Sequence, residues 1–135
     1  MPVDLEIVSP EKLLLSRPVD MVVIPASEGE LGVLPRHSPM IVLLRGGTIR
    51  LYDGAQVAEQ LFVSGGFAEI TPARVTVLAD EAIPVANVSR AEGEKRLAAA
   101  QADYDRADKM DIAAIDAAMD RLQSARAMIE AAQAA

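Results

Sequence analysis

The sequence predicts a two-part β + α fold, an N-terminal antiparallel β-sandwich followed by a C-terminal antiparallel two-helix hairpin. Three observations predict it. All eight prolines and seven of the eight glycines precede Ser89. In that stretch valine, isoleucine and leucine come in short bursts between turn residues, and punctuation this regular marks a sandwich or flattened barrel. After Ser89 proline is absent, Gly93 is the only glycine and alanine dominates.

In chain order, Val3, Leu5 and Ile7 alternate with Asp4 and Glu6, the period-two pattern of a half-buried strand. Val19 to Ile24 is a β-branched run closed by Pro25, and Met40 to Leu44 is an apolar run between Pro39 and Gly46-Gly47. Thr48 to Tyr52 alternates again and ends at Asp53-Gly54, a hairpin turn whose residues tolerate positive φ. Gln56 to Val63, Phe67 to Ile70 and Arg74 to Ala79 supply further strands. Ser64-Gly65-Gly66 lies between two of these and reads as a bend or bulge rather than an anion-binding nest.

Ser89 is the predicted N-cap of the first helix, with Glu92 completing a capping-box pattern. Leu97, Ala100, Tyr104 and Ala107 share one helical face. Asp111 caps a second helix after the break at Asp108-Lys109-Met110, and Ile112, Ile115, Met119, Leu122 and Ile129 mark its apolar stripe. The short connection favours an antiparallel pair. Alanine buries little area, so the pair presents a thin interface and gains from a partner surface.

Composition excludes several functions. The formal charge is -7, and no Lys/Arg cluster is present to grip a phosphate backbone or anionic lipid. Without cysteine there is no disulfide or thiolate metal site. His37 is the only histidine, which argues against a classical zinc site, and no nucleophile elbow, P-loop or dinucleotide fingerprint occurs. Asp103, Asp105, Asp108, Asp111, Asp116 and Asp120 lack the glycine and terminal glutamate of a calcium loop and read as a solvated helix face. No secretory leader or roughly 20-residue apolar span is visible, which places the chain in the cytoplasm, free or bound to a larger assembly. A stand-alone binding module and a hydrolase without a recognisable nucleophile remain the competing readings at this level.

Three further stretches carry a resemblance. They are Ser27-Glu28-Gly29-Glu30-Leu31-Gly32-Val33-Leu34-Pro35-Arg36-His37-Ser38-Pro39, Leu44-Arg45-Gly46-Gly47-Thr48-Ile49-Arg50, and Phe62-Val63-Ser64-Gly65-Gly66-Phe67-Ala68-Glu69-Ile70. In this order and spacing, ahead of an Ala-rich hairpin, they resemble the epsilon subunit family of bacterial F-type ATP synthases, equivalent to the mitochondrial delta subunit. The absence of a transit segment favours the bacterial form.

The resemblance implies about ten strands over residues 1–86 and a mobile, regulatory hairpin over residues 89–133. It implies a non-catalytic rotor subunit that couples rotation of the membrane c-ring to ATP synthesis through the gamma subunit. Its place would be peripheral, on the cytoplasmic face of the bacterial inner membrane, meeting the membrane only indirectly. Glu28, Gly29, Glu30, Leu31, Gly32 and His37 map onto the family's c-ring contact. Arg121 and Arg126 resemble basic positions through which the hairpin inhibits hydrolysis at the alpha-beta assembly. Some members bind ATP through an Ile/Leu-Asp-x-x-Arg-Ala pattern. Arg90 and Ala91 match it, whereas Asn87 replaces the acidic residue and Ala86 the larger apolar one, so no cofactor is assigned.

Overall fold

The computed structural model describes residues 2–134. Ten strands form one folded sheet: β1 Val3–Val8, β2 Leu13–Val19, β3 Met21–Ala26, β4 Gly29–Val33, β5 Met40–Leu44, β6 Gly47–Asp53, β7 Gln56–Val63, β8 Gly66–Ile70, β9 Arg74–Ala79 and β10 Ala82–Pro84. A 3-10 turn over Val85–Asn87 leads to α1, Arg90–Arg106, and α2, Ile112–Ala134. The strand order is β10-β7-β6-β3-β5-β8-β9-β1-β2, with β4 on the remaining edge of β3.

The sheet folds at β3. Residues Met21–Val23 pair with β6, whereas Ala26 alone pairs with β5, at Leu44. One layer is thus β4-β3-β6-β7-β10 and the other β5-β8-β9-β1-β2. Alternation sends Val3, Leu5, Ile7, Val22, Ile24, Ile49, Leu51, Leu61, Val63, Ile70, Val75 and Val77 into one aliphatic core. Burial of a branched aliphatic side chain contributes about 1.5–3 kcal/mol, and this set places the larger of the two buried clusters inside the sandwich.

Besides the short β10 and the break at Asp20, which divides the expected Val19 to Ile24 run between β2 and β3, the sandwich departs from the sequence expectation in four places. All pairings are antiparallel except β1 with β9, which is parallel. β2 was hidden by its irregular pattern and by Pro18, which is tolerated because β2 ends the sheet. Pro25 does not close β3. It lies where the ladder passes from β6 to β5, so its missing N–H breaks no pairing. Finally, Gly29–Val33, which is absent from the strands read above, forms strand β4, registered against β3 from Ala26↔Gly29 to Val22↔Val33. Its two glycines depress strand propensity, while fully buried Val33 fixes the register.

The helices start as predicted. Ser89 Oγ accepts from the Glu92 N–H at 3.1 Å, and Asp111 Oδ1 from the Ala114 N–H at 3.2 Å. The capping box is half formed, because the Glu92 carboxylate pairs with Arg96 instead. The α1 face is as expected, with Ala100 buried and Leu97, Tyr104 and Ala107 half-buried. The α2 stripe is only partly so: Leu122 is buried and Ile115 and Ile129 are half-buried, as expected, but the rest differs. Ala118, Leu122, Ala125, Met128 and Ala131 are buried, whereas Ile112 and Met119 are exposed. α2 packs on both α1 and the sandwich at short range, and three of its five buried residues are alanine. At Gly93 an added Cβ would stand 2.9 Å from Ile129 Cγ1.

Candidate functional site

Three surfaces bring chemistry-bearing residues together. The first is the β3–β4 tip. Ala26 to Leu31 form one wall of a groove of about 460 Å³, and Met40 to Leu43 on β5 form the other. Glu28, Gly29, Glu30 and Leu31 all line it. Glu30 is committed within the chain, since Arg50 Nη1 and Nη2 donate to its two carboxylate oxygens at 2.9 and 3.1 Å. That hydrogen-bonded carboxylate raises the Arg50 pKa. Glu28 makes no ion pair among the described residues. Gly32 is exposed on β4. His37 stands apart, on the β4–β5 loop, where its Nδ1 lies 2.8 Å from the Ser38 carbonyl. The adjacent Arg36 N–H donates to Pro72 O at 2.8 Å, which ties this loop to the β8–β9 turn. Arg36 itself sits at φ 67°, a left-handed conformation uncommon for a residue other than glycine.

The second surface is the outer face of the β5-β8-β9-β1-β2 layer. Strand register aligns Leu43, Phe67, Leu78, Val8 and Leu13 in one row. Leu43 is 67% exposed and Leu13 56%; Phe67 and Leu78 are also exposed, and Val8 is half-buried. Single exposed apolar side chains need no explanation, but a contiguous row across five strands marks a contact surface.

The third is the seat of the hairpin on the other layer. Phe62, fully buried, packs with Met128 and Ala131, flanked by Ile83, Val88 and Ala127. The Gln123 amide reads a backbone. Its Oε1 accepts from Gly46 N at 2.9 Å and its Nε2 donates to Gly46 O at 2.6 Å. Ser124 Oγ donates to Ser64 O at 2.9 Å. A Cβ on Gly46 would lie 2.5 Å from Ser124 Cα, so only glycine admits the helix here. α1 is tied separately, by Arg96 donating to both oxygens of Glu81 at 2.6 and 3.0 Å.

Arg96 hydrogen bonds hold the Glu81 carboxyl below its ordinary range, partly offset by burial, and the arginine is raised in turn. The folded state therefore releases the Glu81 proton more readily than the unfolded one. The pair's contribution is present above the unfolded value near 4.5 and is lost as pH falls through the lower folded value. Thermal melts between pH 6 and pH 3 are expected to show a steeper loss of stability for the wild type than for Glu81→Gln. Parallel curves would count against the assignment.

The remaining sequence candidates are dispersed. Asn87, Arg90 and Ala91 all face solvent, and Arg90 Nε lies 3.1 Å from Glu94 Oε1. Arg121 turns toward α1, 3.6 Å from Asp103, while Arg126 is exposed without an ion pair among the described residues. Gly65 and Gly66 form a bend at φ 154° and 129°. Among the described residues no group of three or more His, Cys, Asp or Glu is arranged to hold a metal. Sequence reasoning missed Gln123, Gly46, Arg96 and Glu81, which meet across 77 and 15 residues of chain. No local pattern flags such a pair.

Comparison with known proteins agrees with this architecture. Residues 2–85 match the family model described as ATP synthase, Delta/Epsilon chain, beta-sandwich domain. The chain is 70% identical over 129 residues to the ATP synthase epsilon chain of Granulibacter bethesdensis, covering 96% of each. It is 48% identical to that of Gluconacetobacter diazotrophicus, covering 98% of this chain and 94% of the relative. A chain in the cryo-EM structure of the Euglena gracilis mitochondrial ATP synthase (OSCP/F1/c-ring) superposes with TM-score 0.76 at 24% identity, covering 96% of this chain and 81% of that one. A chain in the central stalk/c-ring structure of the Tetrahymena thermophila mitochondrial ATP synthase gives 0.63 at 14% identity, over 98% and 97%. At these identities the structures speak for the fold. With a family model spanning most of the sandwich and near-full-length relatives, the chain belongs to the ATP synthase delta/epsilon chain family.

Proposed function

We propose that this chain is a non-catalytic rotor subunit of the central stalk, coupling c-ring rotation to ATP synthesis through gamma. The row Leu43-Phe67-Leu78-Val8-Leu13 carries the reading. A rigid aliphatic sandwich with one apolar outer face is suited to transmitting torque, because a close-packed core deforms little under load. In this reading the row takes the gamma subunit. The β3–β4 tip, with Glu28 uncommitted and Glu30 stiffened by Arg50, rests on polar loops of the c-ring. His37, displaced from the groove, marks the far margin of that contact.

The sandwich, residues 1–86, is then the coupling domain and residues 89–133 a regulatory hairpin. Released from its seat, the hairpin reaches the alpha-beta assembly and inhibits hydrolysis, with Arg126 as the freer of its two basic contacts and Arg121 the second. No described helix is long and apolar enough to cross a membrane, and attachment to the cytoplasmic face of the inner membrane runs through these neighbours. The double variant Leu43→Glu/Phe67→Glu is expected to lose at least about 100-fold in affinity for gamma, since it buries two unpaired charges. Its melting temperature should stay within a few degrees of wild type, as both side chains are exposed. Unchanged affinity would remove gamma from this face.

A further inference from the structure

The edge of β5 is unprotected in a way that its face alone does not explain. β5 is Met40-Ile41-Val42-Leu43-Leu44, five apolar residues without a charge or bulge. One edge pairs with β8 along its whole length, whereas the other meets β3 only at Leu44. Natural proteins blunt free edges with charge, proline or irregularity, because a bare edge templates pairing with another chain. Pro39 stands before the strand and nothing blunts it within.

The polarity of the free edge follows from two hydrogen bonds. Leu43 O accepts from the Ser27 N–H at 2.8 Å, and the Arg45 N–H donates to Pro25 O at 3.0 Å. Odd-numbered residues of this segment therefore turn their backbone groups away from β8. Alternation turns the N–H and C=O of Ile41 the same way, beyond the end of β3 and into the groove between Met40–Leu43 and Ala26–Leu31. On that side Ile41 has neither a ladder partner nor a loop backbone partner among the described residues, and its side chain is 70% exposed.

We propose that this edge accepts an extended segment of the gamma subunit as an added strand, so that the neighbour is joined by main-chain hydrogen bonds as well as by the apolar face. The inference rests on the reading of gamma as the partner of that face. Strand addition draws affinity from the backbone and specificity from alternate side chains. The free acid beside the site selects the segment's chemistry. Glu69 lies opposite Ile41 on β8. The added strand is therefore apolar at alternate positions, to continue Ile41 and Leu43, with a lysine or arginine beside them.

Residue-resolved hydrogen exchange on the chain, free and in complex with purified gamma, tests this. The Ile41 amide is expected to slow at least about tenfold on binding. Ile41→Pro removes that N–H without touching the β8 ladder, and is expected to weaken gamma binding about tenfold, the worth of one well-formed hydrogen bond. Ile41→Val keeps the N–H and most of the apolar surface, and is expected to change affinity no more than about threefold. An Ile41 amide that exchanges equally fast in a complex that still forms overturns strand addition and leaves face docking standing. Equal losses for Ile41→Pro and Ile41→Val do the same. Wild-type chain that fails to bind gamma overturns both.

Discussion

Gly66→Ala is expected to prevent the sandwich from forming, with a loss above about 4 kcal/mol. Gly66 begins β8 at φ 129°, a conformation essentially confined to glycine. An added Cβ would also run into the backbone of β9, at the carbonyl of Leu78 and at Ala79 Cα 3.0 Å away. Relief by rotamer change is impossible, because the obstacles are main chain. β8 is the bridge between β5 and β9, so displacing it disconnects half a layer. Circular dichroism and a urea titration check this, and a cooperative transition within about 2 kcal/mol of wild type would refute it. Gly54→Ala is the control. It has positive φ but nothing within 4 Å of an added Cβ, and it should cost only about 1 kcal/mol.

Phe62→Ala is expected to cost about 3–5 kcal/mol and to free the hairpin selectively. Phe62 lies on β7 between Leu61 and Val63, which face the sandwich core, while its own ring faces Met128 and Ala131. Truncation empties the seat of α2 and leaves the inner core untouched. What then ties α2 directly to the sandwich is chiefly the Gln123 clamp and the Ser124 bond, each worth about 1 kcal/mol net. Exchange should quicken across residues 112–134 while β1, β8 and β9 stay protected. In the assembled enzyme the proposed inhibitory role predicts slower ATP hydrolysis for this variant. Uniform loss of protection would show that hairpin and sandwich unfold together, and unchanged hydrolysis would remove the inhibitory role.

Much of the fold was readable because its signals are local. The alternation of Val3, Leu5 and Ile7, the turn at Asp53-Gly54, and the caps at Ser89 and Asp111 each declare themselves within a few residues. Gly65-Gly66 was rightly read as a bend. Where reading failed, tertiary contact decided. Gly29–Val33 does not read as a strand until Val33 finds the core, and Pro25 looks like a terminator until β3 changes partner beside it. The α2 stripe was right at Leu122 but misjudged at Ile112 and Met119 by favouring bulk, when a helix held close to two neighbours also buries its alanines.

The candidate site was legible only as a region. The sequence pointed to Glu28–Leu31, and the structure gathers those residues around one groove. It gave no sign that Arg50 already occupies Glu30, or that Arg96, twelve residues short of the hairpin's turn at Asp108, holds α1 to Glu81. The apolar row is likewise invisible in one dimension, since its five members come from five strands and align only through register.

The place of β1 shapes how the molecule is made. Its first strand lies between β2, its immediate successor, and β9, which is synthesised some seventy residues later. A growing chain therefore emerges with one side of Val3–Val8 satisfied at once and the other waiting for Arg74–Ala79. Closure depends on distant pairing, which is slow, and the nascent hairpin carries an open flank throughout that delay. Until then that flank is an open edge able to pair with another chain, and a truncation before β9 is expected to leave an aggregating fragment rather than a smaller domain.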